Sequence, residues 1–295
     1  MIRETGPAGL LYVSRTVNNI VLGRSDNSYV ELNAAAPLHD SMSAGWKLLE
    51  YIPRRVPENS WRKRGNRGGI YLPLEDRRFI PDRANLHGVD LTLFHPPEGA
   101  DDTIAASGLP GRYLVGCFGR VRHQKGTDLF VQAMIALLPQ HPDWTAVISG
   151  RVTPEHTAFA DKLKADIAAA GLTDRIVFIG EVPDIKVWYR RLSLYVAPSR
   201  NEGFGLTPLE AMASKTPVVA SDAGAYAEMV VPGENGVIVP PGDGDALTAA
   251  IATYLADPAL TSAQGETALR HVRENFALEK EATAINRIYQ QLLGA

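Results

Sequence analysis

The sequence predicts an α/β protein whose clearest part is a doubly wound parallel sheet that begins near residue 112. Six short runs rich in valine, isoleucine and aromatic residues each end at Gly, Pro or Ser, which is typical of buried strands. Segments with apolar residues at helical spacing separate these runs. Nearly continuous apolar strands that alternate with helices indicate a parallel sheet covered on both faces.

The elements follow one another regularly along the chain. The predicted strands are Tyr113–Gly119, Thr145–Gly150, Arg175–Gly180, Leu194–Pro198, Pro217–Ser221 and Gly236–Pro240. The predicted helices are Thr127–Leu138, His156–Ala170, Ile185–Leu192, Thr207–Ser214, Ala225–Val230, Asp245–Leu255, Leu260–Asn275 and Leu278–Leu293. In the first helix, Leu129, Ala133 and Leu137 fall on one face, as a period of 3.6 residues requires.

The first 84 residues show weaker patterns. Leu10–Val13 and Ser28–Leu32 are candidate strands, and Ser43–Tyr51 is a candidate short helix. Residues 54–85 are rich in Arg, Gly and Pro with little periodicity, so we do not expect a complete Rossmann-type layer there. The sequence therefore divides into a reduced N-terminal region (1–85), a linker (86–111), a doubly wound domain (112–275) and a closing helix (276–295).

Composition and charge narrow the classes of function. The chain has 45% hydrophobic and 21% charged residues, values of a soluble globular protein. Its net charge of −3 argues against a nucleic-acid partner, because neutralising phosphates requires a basic surface. No apolar run reaches the roughly 18 residues of a spanning helix, and the first residues lack a signal-peptide layout. We therefore expect a cytoplasmic protein.

The net charge conceals a basic segment. Residues 1–84 contain 13 Lys and Arg against 9 Asp and Glu, and the excess lies within residues 54–83. One interpretation is a solvated face. The other is a patch for an anionic acceptor or for the inner face of a membrane, which would make the protein peripheral to that membrane.

Cys117 is the one cysteine of the chain, so an internal disulfide is excluded. It lies in the apolar run of residues 114–118. That position favours a buried thiol over a nucleophile.

The loop after the first predicted strand is a candidate binding loop, since ligands of open parallel sheets lie beyond the carboxyl ends of strands. It runs from Gly119 to Gly126 and carries Arg120 and Lys125 before a helix. Glycines allow close backbone approach, and two cations at a helix N-terminus suit a diphosphate. A surface loop with ordinary basic residues is the alternative. His123, in the same loop, is interpreted as a polar neighbour and not as a general base.

The loop after the fourth predicted strand adds two carboxylates. Glu202 lies in the loop, and Glu210 lies on the helix that Pro208 begins. The amides of residues 203, 205 and 206 precede that helix and can bind phosphate. The two carboxylates can accept hydrogen bonds from hydroxyls of two different sugars. Acid/base hydrolysis is one alternative, although it does not need phosphate-binding amides. The other alternative is purely structural: Glu202 would be a capping residue, and Glu210 would be a surface charge.

Three motifs in this order resemble the family 4 retaining glycosyltransferases, which have the two-domain GT-B fold. They are the loop with Arg120 and Lys125, the Glu202/Glu210 pair, and the segment from Pro217 to Glu228. Residues 86–295 are also similar to bacterial lipopolysaccharide core mannosyltransferases, including His87-Gly88-Val89-Asp90. The narrower likeness is less specific, because the shared motifs contact the nucleotide more than the sugar.

The resemblance implies a role for each matched residue. Arg120 and Lys125 would hold the donor diphosphate and stabilise the charge left on it as the sugar departs. Glu202 would face the hydroxyls of the transferred sugar, and Glu210 those of the ribose. Val177 and Ile179 would meet the base through their backbone. The other donor-binding residues would be Gly119, Gly203, Phe204, Gly205, Leu206 and Thr207.

The resemblance also implies a donor without a metal. Family members retain the anomeric configuration, and a leaving-phosphate oxygen is thought to take the acceptor proton, so no side-chain nucleophile is required. The expected donor is GDP-mannose, and no metal or other cofactor is expected. Asp243-Gly244-Asp245 looks like the metal-binding Asp-x-Asp of other transferases, but it precedes a helix and is interpreted as an N-cap.

The expected function is transfer of a hexose, most simply mannose, to a lipopolysaccharide-core or related glycan acceptor, a glycolipid or oligosaccharide. The short N-terminal region departs from the family, whose N-terminal Rossmann-like domain contributes a histidine; His39 is not assigned that role. A reduced domain, an altered start or a rearranged reading frame would each explain it. A nucleotide-sugar-binding module without transfer is the first alternative. A sugar-nucleotide epimerase is the second, which the Glu202/Glu210 loop disfavours.

Overall fold

The computed structural model describes residues 87–293 and, nearer the N-terminus, the backbone of three strands. The chain forms two units, one of Met1–His87 with Glu279–Ala295 and one of Gly88–Leu278. The predicted helix Ser43–Tyr51 and the basic segment 54–83 lie outside the described residues.

The three strands of the first unit pair antiparallel in the order β1-β2-β3. They are β1 (Leu10–Arg15), β2 (Asn19–Arg24) and β3 (Tyr29–Asn33). β1 and β3 match the two predicted strands, and β2 is an addition. Because β2 begins with Asn19 and contains Gly23, which are both depleted in strands, its composition gives little indication of a strand. The closing helix of the chain, α8, spans Leu278–Leu293 as predicted.

The second unit is built on a parallel sheet whose described strands follow the order β6-β5-β4-β7-β8-β9. These strands are β4 (Tyr113–Phe118), β5 (Trp144–Ser149), β6 (Ile176–Gly180), β7 (Leu194–Ala197), β8 (Val218–Ser221) and β9 (Gly236–Val239). Each predicted strand is present, and its ends differ by at most one residue. The predicted doubly wound α/β sheet is therefore confirmed.

Helices alternate with these strands in the predicted order, and two helices of the second unit follow the last strand. They are α1 (Thr127–Leu137), α2 (Thr157–Ala169), α3 (Ile185–Arg191), α4 (Thr207–Ala213), α5 (Tyr226–Met229), α6 (Gly244–Ala256) and α7 (Pro258–Asn275). α7 begins two residues before its predicted start, because Asp257 caps it by accepting from the amides of Ala259 and Leu260. Among the described helices, none has the length and apolar character needed to cross a membrane.

The core of the second unit lies on both faces of the sheet. β5, β7 and β8 are buried along their whole length. Phe130 and Met134 of α1 lie in one buried cluster with Ile251 of α6, and Leu209 and Met212 of α4 are fully buried outside that cluster. This double coverage is the reason that the strands read as continuous apolar runs.

Cys117 is part of this core, as predicted. Its side chain on β4 is buried, and that burial raises the pKa of the thiol to about 12. A thiol with such a pKa remains protonated and unreactive at neutral pH.

Most of the residues predicted as a linker, from Gly88 to residue 111, belong to the second unit. Val89 donates its amide to the carbonyl oxygen of Phe276 over 2.8 Å, immediately before α8. Further along, Phe94 packs edge-on against Tyr189 of α3, with ring centroids 5.6 Å apart. Asp102 then pairs with Arg190 of the same helix at 2.9 Å. The segment is thus fixed at several points to helices of the sheet domain.

Candidate functional site

The candidate site lies where the strand order of the sheet reverses. From β4 the chain continues outward to β6 on one side, and from β7 it continues to β9 on the other. Such a reversal leaves a crevice at the carboxyl ends of the two central strands, and ligands of open α/β sheets bind there. A small open cleft occupies this position. Its lining includes Gly119, Lys125, Ser199, Thr207 and Tyr226.

The loop after β4 brings Lys125 into the crevice and leaves Arg120 exposed. It enters α1 through Gly126, whose φ is 68°. A Cβ atom at this glycine would lie 1.9 Å from the carbonyl oxygen of Pro198, just after β7. Only glycine fits here, because the loops after β4 and β7 touch backbone to backbone.

Arg122 is a third cation of this loop, to which the sequence analysis assigns no role. Its Nε is buried and makes no hydrogen bond. Burial lowers the pKa of Arg122, the charge of Arg120 lowers it further, and the charge of Glu202 opposes both. The guanidinium therefore lies near enough to both predicted site residues to feel their charges. Its position between Gly119 and Gly126 is the signal that could have identified it.

Lys125 and Glu202 form an ion pair with each other. Their side chains are 19% and 13% exposed, so the pair is largely removed from water. The Glu202 carboxylate also accepts hydrogen bonds from the Ser199 hydroxyl at 3.3 Å and the Tyr226 hydroxyl at 3.2 Å. The sequence predicts one site for both members of the pair but does not predict that they contact each other.

The carboxyl of Glu202 is ionised at neutral pH. Burial by itself raises the pKa of Glu202, but the charge of Lys125 and the hydrogen bond from its ammonium group outweigh burial. The pKa therefore lies below its ordinary value. The capping interpretation of Glu202 is wrong, because the cap residue of α4 is Leu206 and no side chain caps that helix.

The backbone between Glu202 and α4 is tightly constrained. Gly205 has a φ of 71°, and a Cβ there would lie 2.6 Å from a ring atom of Tyr226. The amide of Gly203, which the sequence predicts as a phosphate donor, donates here to the Glu202 carboxylate over 3.1 Å. Phe204 is buried and Leu206 is exposed, while Thr207 lines the crevice.

Glu210 lies on α4 and accepts a 2.7 Å hydrogen bond from the Tyr189 hydroxyl. Burial raises the pKa of the Glu210 carboxyl, and the tyrosine opposes this by stabilising the ionised form. Tyr189 is itself buried and packs edge-on against Phe94 and Phe118. Glu210 is therefore an oriented, half-buried carboxylate, and its interpretation as a surface charge is wrong.

We expect the Tyr189→Phe variant to bind nucleoside diphosphates roughly fivefold more weakly at neutral pH, since a hydrogen bond to a carboxylate contributes about 1 kcal/mol or more. The lost hydroxyl leaves Glu210 without its donor and lets the carboxyl pKa rise further. Calorimetric titration with GDP and UDP measures the change. Tyr254→Phe is the matched control. Tyr254 is a buried tyrosine of α6, and its hydroxyl donates a hydrogen bond to Gln264 of α7. Equal losses in both variants would contradict the role of Tyr189.

Val177 and Ile179 lie on β6, an edge strand of the sheet separated from β4 by β5. Both residues are half-buried. Val177 pairs with Val147 of β5, and a register shift follows before Gly180. An edge strand leaves one row of backbone groups without a neighbouring strand. These residues therefore lie on the same sheet as the crevice but do not line its central cavity.

The Asp243-Gly244-Asp245 motif is confirmed as a helix cap. Asp243 accepts a 2.9 Å hydrogen bond from the amide of Ala246 at the start of α6. Within the residues that the structure describes, no group of three or more His, Cys, Asp or Glu side chains is arranged to hold a metal ion.

Buried tyrosine hydroxyls are a feature of the candidate site that the sequence does not predict. Tyr226 contacts Glu202, Tyr189 contacts Glu210, and Tyr195 donates to the carbonyl oxygen of Phe118 at 3.1 Å. All three side chains are about 1% exposed. Each lies within an apolar segment, so its residue type indicates core packing. For Tyr226, its place in the segment of residues 217–228 is the available signal.

The fold is that of a doubly wound α/β protein. A cationic loop lies where the strand order of the sheet reverses, and the oriented carboxylates of Glu202 and Glu210 lie on the loop and helix after β7. The sequence profile described as "Glycosyl transferases group 1" matches residues 101–271. The chain belongs to this family.

Three relatives give the comparison detail. The lipopolysaccharide core biosynthesis mannosyltransferase LpcC of Rhizobium leguminosarum bv. viciae is 75% identical over 215 residues, which are 73% of this chain and 61% of that protein. The crystal structure of the C-terminal domain of a group 1 glycosyl transferase (LpcC) from Francisella tularensis is 38% identical, with a TM-score of 0.62 over 65% of this chain and all of that one. Anabaena Alr3699/HepE, solved with UDP and glucose, is 26% identical, with a TM-score of 0.64 over 69% of this chain and 55% of that one.

These comparisons confirm the predicted resemblance and the GT-B-like fold of the sheet domain. The chain spans about three fifths of the length of the Rhizobium relative. The family match includes both the loop after β4 and the Glu202/Glu210 segment.

Proposed function

We propose that this chain acts in the transfer of a hexose, namely mannose, from a nucleoside-diphosphate sugar to a lipopolysaccharide-core or related glycan. The observation that carries the proposal is the ion pair of Lys125 with Glu202 at the crevice of a group 1 glycosyl transferase domain, with Glu210 on the helix that follows. The name of the Rhizobium relative supports mannose and a lipopolysaccharide-core acceptor. The UDP and glucose bound by the Anabaena protein support a nucleoside-diphosphate sugar as donor.

In this proposal the cations receive the donor diphosphate. Lys125 exchanges its contact with Glu202 for the phosphate oxygens, and exposed Arg120 adds a second cation from the mouth of the loop. Preorganised cations in a site shielded from water stabilise the charge that develops as the sugar departs. Arg122 adds positive potential beside them, and Gly119 lets the phosphates approach the backbone.

The carboxylates orient the two sugars of the donor. Glu202, released from Lys125, accepts hydrogen bonds from hydroxyls of the transferred hexose, while Tyr226 keeps it in place. Glu210, held by Tyr189, accepts from the ribose hydroxyls. The backbone of Phe204, Gly205, Leu206 and Thr207 contacts the phosphate and sugar, and that of Val177 and Ile179 meets the base.

The proposal extends to donor, reaction course and location. GDP-mannose is the proposed donor, and cations of the protein take the place of a metal ion. Transfer proceeds with retention, and the leaving phosphate accepts the proton of the acceptor hydroxyl. Residues 112–275 form the donor domain, residues 276–295 the crossing helix, and residues 1–85 the acceptor side. A cytoplasmic location fits this reaction, with contact to the inner face of the membrane through residues 54–83.

A second candidate is a module that binds the nucleotide sugar without transferring it. The antiparallel pairing of β1, β2 and β3 favours this candidate, because those strands do not follow the parallel α/β pattern expected of a second Rossmann-like domain. Epimerase chemistry has no corresponding observation in its favour.

Titration and turnover separate the two candidates. We expect GDP-mannose and GDP to bind the full chain in a calorimeter, with UDP-glucose as the competing donor. A mannose-transfer assay with a lipid-core acceptor then decides between transfer and binding alone. Binding without transfer would support the module, and failure to bind any nucleoside diphosphate would refute both candidates.

A further inference from the structure

Arg200 is fixed between the two loops of the crevice. Its guanidinium makes a two-pronged ion pair with Asp128, both nitrogen–oxygen distances being 2.8 Å. The same group donates to the carbonyl oxygen of His123 over 2.7 Å. The two side chains are 24% and 17% exposed, so the pair is screened from water more than a surface ion pair is.

Backbone contacts reinforce this connection. The amide of Arg200 donates to the carbonyl oxygen of Gln124 over 2.8 Å. In return, the Gln124 side chain donates to the carbonyl oxygen of Asn201 over 3.0 Å. Together with the close approach of Gly126 to Pro198, these bonds fasten the loop after β4 to the loop after β7.

The connection lies next to the charged pair of the site. Asp128 follows Lys125 by three residues, and Arg200 precedes Glu202 by two. The guanidinium donates three of its five N–H groups to Asp128 and a backbone carbonyl, so its orientation is set by the protein. A rigid, two-pronged pair of this kind sets the distance and orientation of the groups that it joins.

We infer that Asp128 and Arg200 are positioning residues, which hold Lys125 where it can receive the donor diphosphate. This inference rests on the proposed function. The clamp, as we call the Asp128–Arg200 pair, acts through Lys125, so its contribution to diphosphate binding disappears when Lys125 is absent. A purely structural contribution to α1, whose first turn contains Asp128, would persist without Lys125.

A double-mutant cycle on the full chain tests this inference. GDP and UDP are titrated calorimetrically against the parent protein, Asp128→Asn, Lys125→Ala and the double variant. We expect Asp128→Asn to weaken binding about fivefold in the parent but hardly at all in the Lys125→Ala background, since residues that act as one unit are not additive. Arg200→Lys keeps one positive charge but loses the second prong, and we expect the same behaviour from it.

Asp166→Asn is the matched control. It removes an acid that pairs with Lys162 over 2.6 Å on the exposed face of α2, away from the crevice. We expect the Asp166→Asn variant to bind GDP and UDP with unchanged affinity. We expect circular dichroism to show that every variant is folded. Unchanged affinity in Asp128→Asn and Arg200→Lys, or equal losses with and without Lys125, would overturn the clamp while leaving the proposed function in place. A parent protein that binds neither nucleotide would remove the proposed function, and this inference with it.

Discussion

Replacing Lys125 with alanine is expected to lower the proposed rate of sugar transfer by roughly 10²–10³-fold, the loss that follows removal of one preorganised donor to a developing negative charge. The variant loses a cation for the diphosphate and also leaves Glu202 ionised without its partner. A buried carboxylate without a counter-charge repels the incoming phosphates. Steady-state transfer rates and calorimetric GDP affinity measure the two effects.

The Lys125→Ala/Glu202→Gln double variant separates these effects. Removing the unpaired charge at position 202 is expected to restore part of the GDP affinity, because the repulsion is gone. It is not expected to restore transfer, because the cation and the carboxylate proposed to bind the sugar are both absent. A Lys125→Ala protein that keeps most of its transfer rate would contradict the proposed place of this lysine in the reaction.

The Gly126→Ala substitution is expected to destabilise the fold by about 3 kcal/mol or more, because strain at positive φ adds to a steric overlap that packing cannot relieve. The methyl group would lie 1.9 Å from the carbonyl oxygen of Pro198. Moving either loop away would also separate Lys125 from Glu202. Urea unfolding of the full chain measures the change, and GDP titration shows its effect on the site.

Gly171→Ala is the matched control for this substitution. Gly171 has the same φ of 68°, but nothing lies within 4 Å of a Cβ placed there. We expect it to lose only the conformational share, about 1 kcal/mol. Similar losses in the two variants would mean that the loops after β4 and β7 do not press on each other at Gly126.

The sheet domain could be predicted from the sequence because its signals are local. Turn residues and helical patterns flank the apolar run of residues 194–197. These flanks identify the run as a buried strand. The first unit shows the opposite case, where Gly23 obscures β2. Register and pairing there depend on neighbouring strands, which single-strand composition does not reveal.

The candidate site could be predicted as a set of residues but not as a set of contacts. Arg120, Lys125, Glu202 and Glu210 follow strands at the carboxyl edge, and the topology brings those loops together. The pairing of Lys125 with Glu202 depends on how two loops 77 residues apart fold over one edge of the sheet. The tyrosines that orient the carboxylates belong to apolar segments. The sequence therefore does not distinguish them from tyrosines that only pack in the hydrophobic core.

The burial of Cys117 has a practical consequence for measuring motion at the crevice. Since this thiol is the only one in the chain and is shielded within β4, sulfhydryl dyes will leave it unlabelled under native conditions. A cysteine introduced at an exposed position such as Leu206 would then carry one fluorophore per molecule. Its emission would report arrival of a nucleotide beside α4 without any need to remove the native cysteine.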